Sequence, residues 1–182
     1  MVLCGIDEAG RGPLAGPLMI AGVILHKPIE GLNDSKKLSE KKREQLFDII
    51  CANASYHIAH FSAEQIDDLG LSECLATGLR EIINTLGEAD YLYDGNSKFG
   101  VSQIRTMVKA DATVPEVSSA SILAKVTRDR EMIMLASQYP QYGFAKNKGY
   151  GSDAHIQAIR QYGYSEIHRK TFKLKALQPS LF

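Results

Sequence analysis

At 182 residues and 20.0 kDa, with 45% hydrophobic residues, the chain has apolar material for one domain with an ordinary core and not for several. Its longest uncharged apolar run, residues 18–25, is far too short to span a bilayer, and Asp7, Glu8 and Arg11 interrupt any signal-peptide pattern, so a soluble, cytoplasmic protein is expected. Twenty-one bases cancel 21 acids, but between Asp48 and Asp90 eight acids meet only Arg80, whereas residues 141–182 carry seven bases against two acids and residues 36–43 hold a second basic run. Such segregation suits a polyanion bound on one side, although solvated helix faces would read the same way. Three scattered cysteines, Cys4, Cys51 and Cys74, exclude a disulfide framework or zinc knuckle and are expected as reduced, mostly buried thiols.

Taken along the chain, an apolar run with strand character over residues 2–6 leads into Asp7 and Glu8, and a second strand is expected over 18–25. A helix over 39–53 would carry Leu46, Phe47, Ile49 and Ile50 as its apolar stripe, followed by a strand over 56–61. Ser62 and Gln65 form a capping box opening a short helix. Residues 71–86 show clear helical periodicity in Leu75, Leu79, Ile82, Ile83 and Leu86. Short strands over 91–93 and 104–108 run into Asp94 and, almost at once, Asp111. A helix over 118–139 stops at Pro140, and another over 152–161 starts behind Ser152. Two early strands followed by alternating strands and helices predict an α/β fold: a mixed five-stranded sheet with helices on its faces and a helical C-terminal part.

Three of these strands end in acids, and acids at strand ends can converge at one sheet edge. Carboxylates gathered there oppose one another's ionisation unless a cation neutralises them. Mg²⁺ or Mn²⁺, which take oxygen ligands and leave positions open for water and phosphate, suit such a site. Singly, each acid has a plainer reading: Asp94 with Gly95 as a turn, Asp111 as a turn cap, Asp7 and Glu8 as the start of a loop. Neighbours on a regular strand also point to opposite faces, so Asp7 and Glu8 can share a metal only if the strand ends or bends between them. Gly10 and Gly12 favour such an ending. No P-loop, G-x-S-x-G or H-E-x-x-H is present, and His57 and His60 are expected to be structural.

The run Gly5-Ile6-Asp7-Glu8-Ala9-Gly10-Arg11-Gly12-Pro13-Leu14-Ala15-Gly16-Pro17 resembles the opening signature of ribonuclease HII, the type 2 ribonuclease H family. In the family's order follow Asn33 to Leu38, Asp94-Gly95-Asn96, Lys109-Ala110-Asp111, Ser118 to Arg130, Lys148-Gly149-Tyr150-Gly151 and His168 to Phe172. Ser119 and Ala110 stand where many relatives have alanine and glycine; neither is a ligand. The resemblance implies a ribonuclease H-like fold in one domain, residues 1–182, with 141–182 as a basic substrate-binding part and tail. It also implies an endonuclease that hydrolyses the RNA strand of RNA–DNA hybrids, and DNA carrying single ribonucleotides, with Mn²⁺ or Mg²⁺ on Asp7, Glu8, Asp94 and Asp111. Gly10, Arg11 and Gly12 would read ribose 2′-hydroxyls, which separate RNA from DNA. Tyr150 would pack against the deoxyribose at the junction. Lys36, Lys148 and Arg169 are candidates for phosphate contacts. A DNA-only nuclease would not need the 2′-hydroxyl-reading loop or Tyr150, and a non-catalytic binding module would not place acids beside phosphates. The tail, with Gln178, Leu181 and Phe182, resembles the short peptide by which bacterial DNA-processing enzymes dock on the replication sliding clamp; alternatively it folds back on the protein's own surface.

Overall fold

The computed structural model describes residues 1–32 and 37–172. Five strands form one sheet in the order β3-β2-β1-β4-β5: β1 (Leu3–Ala9), β2 (Leu18–Leu25), β3 (Ala54–Phe61), β4 (Asp90–Asp94) and β5 (Ile104–Met107). The first three are antiparallel neighbours, while β1, β4 and β5 run parallel. The sheet is thus mixed, as the element order predicts. β1 differs in one respect: it continues through Asp7 and Glu8 to Ala9, because that segment stays paired to β2 with Asp7 opposite Ala21 and Glu8 opposite Ile20.

One face of the sheet carries α3 (Leu71–Leu86), whose Leu75, Leu79 and Ile82 are buried against Cys4, Ile6, Tyr91 and Tyr93. Just before it, α2 (Ala63–Leu69) is capped as expected: Gln65 N donates to Ser62 Oγ at 3.1 Å and Ser62 N to Gln65 Oε1 at 2.9 Å. The other face carries α1 (Glu40–Asn53) and α4 (Pro115–Gln138), with Leu46 and Ile50 buried against Ala120, Leu123 and Val126. Each such leucine or isoleucine contributes roughly 2 kcal/mol by leaving water. α4 begins three residues before the expected start, because Pro115 is well suited to the first helical position. Its N-terminal end lies almost on β1, and a Cβ at Gly5 would meet Val117 N at 2.2 Å. Only glycine allows that approach, which brings the middle of α4 over the end of β1.

Beyond α4, a one-turn α5 (Phe144–Asn147) and α6 (Asp153–Tyr162) enclose a satellite core of Leu14, Met132, Tyr142, Phe144 and Ile159. α5 carries no periodic signal, being too short to show one. Ser152 caps α6 by accepting from His155 N at 3.3 Å. The three thiols are free, with Cys4 and Cys74 buried. Among the described residues no helix is long and apolar enough to cross a membrane.

Candidate metal centre

In a parallel pair, residues in register share a face. Ile6 lies beside Tyr93, both in the core under α3, so Asp7 and Asp94, one step on, turn together towards α4. Asp111 arrives from the 3₁₀ turn Ala110–Ala112 between β5 and α4. That turn is pinned to the site, since Ala110 N donates to Asp94 Oδ1 at 3.2 Å. One carboxylate oxygen from each of Asp7, Asp94 and Asp111 lies within 4.8 Å of the others. Oxygens about 2.1 Å from a shared octahedral ion stand about 3.0 Å apart when adjacent and about 4.2 Å when opposite, so these carboxylates would hold Mg²⁺ or Mn²⁺ after turning inward.

The electrostatics favour a cation. Burial, and then the neighbouring Glu8 charge, hold the Asp7 carboxyl well above the usual range, while the Ser121 hydroxyl bonded to it pulls the other way. Both buried acids, Asp7 and Asp111, are less than a tenth exposed. A divalent ion would reverse the penalty by supplying the missing positive charge.

Glu8 stands apart from this set. Because β1 stays regular, its side chain leaves on the face opposite Asp7, where Tyr93 Oη donates to Glu8 Oε2 at 2.6 Å and Arg11 Nη1 reaches Oε1 at 3.3 Å. Burial raises its carboxyl too, with Tyr93 and Arg11 opposing. All the same, Glu8 lines the same cleft, about 360 Å³, as Asp7, Asp94, Gly10, Arg11, Gly12 and Tyr150. The expected four-acid ligand set is therefore three acids together and a fourth on the wall.

The glycines of the loop differ in kind. Gly10 has φ 99°, and a Cβ there would meet Arg128 Nε at 2.3 Å, so the fold itself requires glycine. A Cβ on Gly12 would meet nothing within 4 Å, so packing gives no reason for glycine there. Tyr150 is about half exposed at the cleft, its ring 5.6 Å from the Arg128 guanidinium carbon.

Of the expected phosphate contacts, Arg169 is placed otherwise. Arg169 is 1% exposed, its guanidinium spent on the carbonyls of Gly10, Arg11, Gly16 and Pro17. It supports the loop from beneath. Burial, then the Arg128 charge, pulls it down to about 9, which still leaves it charged at neutral pH. Lys148 turns its ammonium onto the Ala145 carbonyl. Lys36, Gln178, Leu181 and Phe182 lie outside the described residues. His57 and His60 are tied to Glu81 and Glu131, away from the acid set.

Sequence reasoning passed over Ser121, Lys125 and Arg128. Their i, i+4, i+7 spacing puts them on one stripe of α4, along which Ser121 and Lys125 line the cleft and Arg128 is buried. Lys125, with its ammonium 2.6 Å from Asp129 Oδ1, supplies a cation on the cleft wall.

A mixed sheet with acids gathered at the carboxyl ends of parallel strands, under a helix that closes one side, defines a ribonuclease H-like hydrolase. The ribonuclease HII family model matches residues 4–175, and the chain belongs to that family. It is 64% identical over 181 residues to ribonuclease HII of Sulfurovum sp., covering 99% of this chain and 96% of that one. Among solved structures, the ribonuclease HII from Archaeoglobus fulgidus, determined in complex with PCNA, superposes with TM-score 0.84 at 29% identity, over 100% of this chain and 98% of that one. Ribonuclease H2 from Pyrococcus horikoshii superposes at 0.76 with 31% identity, over 95% and 94%. The chain is a ribonuclease H.

Proposed function

We propose that the protein is an endonuclease hydrolysing the RNA strand of RNA–DNA hybrids, and DNA at a single embedded ribonucleotide, as a step in removing ribonucleotides from DNA in the cytoplasm. Water adds at phosphorus, the bond from phosphorus to the 3′ oxygen breaks, and that oxygen takes a proton, leaving 5′-phosphate and 3′-hydroxyl ends. The observation that carries this reading is the convergence of Asp7, Asp94 and Asp111 within 4.8 Å, with Asp7 and Asp94 lining a cleft that the Gly10-Arg11-Gly12 turn also lines. The three aspartates would hold a divalent ion, Mn²⁺ or Mg²⁺, with Glu8 as a fourth carboxylate beside them. Such an ion supplies charge neutralisation for the phosphate and makes water a better nucleophile.

The chain's own groups do the rest. Ser121 orients Asp7, Tyr93 orients Glu8, and Lys125 offers its ammonium to a phosphate oxygen. The open space at Gly12 lets a ribose come against the backbone, where a 2′-hydroxyl can be hydrogen-bonded. Tyr150 offers its exposed ring face to the adjoining sugar. Residues 1–182 would act as one catalytic domain, with 141–182 as the substrate-binding part and tail. The test is cleavage of a DNA duplex carrying one ribonucleotide against an all-DNA control, in Mg²⁺ and in Mn²⁺. Only the first should be cut; equal cutting of both overturns the reading.

The tail supports a partner. The Archaeoglobus relative was solved with PCNA, a sliding clamp, and Gln178, Leu181 and Phe182 match a clamp-docking peptide. A chain ending at Ala176 should lose clamp binding and keep cleavage. Equal binding by both forms, or by neither, removes the docking.

A further inference from the structure

Two guanidiniums lie inside the protein, and no ion pair reaches either among the described residues: Arg128 and Arg169 are each 1% exposed. Their hydrogen bonds go to backbone carbonyls. Arg128 donates to Pro17 at 2.8 Å, Lys148 at 2.9 Å and Ala15 at 3.1 Å. Arg169 donates to Gly10 at 2.6 Å, Gly16 and Pro17 at 3.0 Å, and Arg11 at 3.1 Å. Pro17 accepts from both. Burying two like charges without a carboxylate is unfavourable, and apolar side chains would fill the volume more cheaply. What the pair offers instead is geometry: a flat fork with five donors fixes several carbonyls at set positions, which the single ammonium of lysine cannot reproduce.

The carbonyls belong to two turns. Residues 10–17 bear Gly10, Arg11 and Gly12, and residues 148–150 bear Tyr150. The turns also touch directly, Leu14 N donating to Gly149 O at 2.8 Å. The Arg128 guanidinium backs the Tyr150 ring from the protein side.

We infer that Arg128 and Arg169 are positioning residues that clamp the 10–12 turn to the 148–150 turn, so that the distance between the ribose-reading backbone and the Tyr150 ring selects which phosphodiester is cut. This rests on the proposed ribonuclease reading. The clamp fixes a spacing and touches no reacting atom, so loosening it should blur the cutting position more than it slows uniform hybrids, where every register is equivalent.

Arg128→Lys keeps the charge and loses the fork. The parent and this variant are compared on DNA with four consecutive ribonucleotides, on DNA with one, and on a uniform hybrid, with Mn²⁺ affinity measured alongside. In the parent one junction position should dominate. In the variant cuts should spread over two or more positions, and kcat/KM on the single ribonucleotide should fall more than about tenfold. Uniform-hybrid cleavage should stay within about threefold and Mn²⁺ affinity within about twofold. An unchanged cutting position, or an equal fall on all substrates, overturns the clamp. A parent that cuts all-DNA duplex as well would instead overturn the ribonuclease reading.

Two further readouts hold even if the lysine variant does not fold. Asn147→Ala releases Gly149 N, which donates to Asn147 Oδ1 at 2.8 Å, and leaves both arginines and their carbonyl partners in place; it should keep the parent's single cutting position, and spread cuts would overturn the arginines as the clamp. In the parent, the Nη protons of both arginines should be individually resolved and slow to exchange by NMR, and averaging of either guanidinium to one signal would overturn it.

Discussion

The hydroxyl of Tyr93, on β4, donates to Glu8 Oε2, on β1, across 2.6 Å, and both side chains lie on the face of the sheet away from Asp7. Burial drives the phenol far above its ordinary range, so it stays a donor at any working pH. The regular strand sets the face on which Glu8 leaves, and the Tyr93 hydroxyl then fixes its carboxylate on the cleft wall. Tyr93→Phe keeps the buried ring and removes this bond. The Glu8 carboxyl should then rise further, since Tyr93 opposes the rise. The acid limb of the pH–rate profile should move to higher pH and kcat fall about tenfold, within the range for groups that position catalytic charges. An unmoved acid limb would count against an ionised Glu8 in the reaction.

Asp94→Asn should abolish cleavage, by more than about 100-fold, while leaving the fold intact. Asparagine keeps an oxygen for Ala110 N. In the absence of metal the melting temperature should stay level or rise, because one charge is removed from a crowded set. A large fall in that temperature would make Asp94 a structural residue.

Gly12→Ala separates function from folding. An added Cβ meets nothing within 4 Å, so stability should change by less than about 0.5 kcal/mol. Cleavage at a ribonucleotide should nevertheless fall at least tenfold, the methyl occupying space the ribose needs. Wild-type activity in this variant would remove the turn from substrate reading.

Tyr150→Ala should impair cutting at a lone ribonucleotide more than it weakens duplex binding, which is mainly a salt-dependent phosphate contribution. Activity within a few-fold of the parent would end the proposed junction role.

His168 and His155 make a directed chain. Ser165 N can only donate, so His168 Nδ1 accepts at 2.9 Å; His168 Nε2 then donates to His155 Nε2 at 3.0 Å, and His155 Nδ1 to Tyr150 O at 2.8 Å. A further proton on either ring would confront two donors. Burial, then the His155 charge, takes His168 from 6.5 down to about 4, and burial lowers His155. The unfolded chain therefore binds protons more readily than the folded one between these values. This contribution to stability is complete above pH 6.5 and lost as pH falls towards 4. Metal-free melts from pH 7.5 to 4.5 should show it, against the opposite trend from Asp7, whose raised carboxyl favours the folded state at low pH. With Asp7→Asn and Glu8→Gln removing that opposite trend, a melting temperature that climbs on acidification from 6.5 to 5 would contradict the neutral chain.

The elements legible from the chain are those whose signals are local. Ser62 with Gln65, the stripe of α3 and the short strand ending at Asp94 follow from side-chain period and capping chemistry, which neighbours along the chain decide. Strand ends marked Asp7, Glu8, Asp94 and Asp111 as acids that could meet, of which Asp7, Asp94 and Asp111 do, and the motif order led to the family. What the sequence alone could not settle was direction and depth. Asp7 and Glu8 part company because β2 keeps β1 paired through both, a long-range constraint with no local trace. Arg169, read as a surface cation, is buried because six carbonyls from loops brought together only by the fold need donors that Arg128 and Arg169 supply. A charged side chain's place inside or outside depends on whether partners surround it, and those partners lie more than 100 residues away in the chain for Gly10 and Pro17.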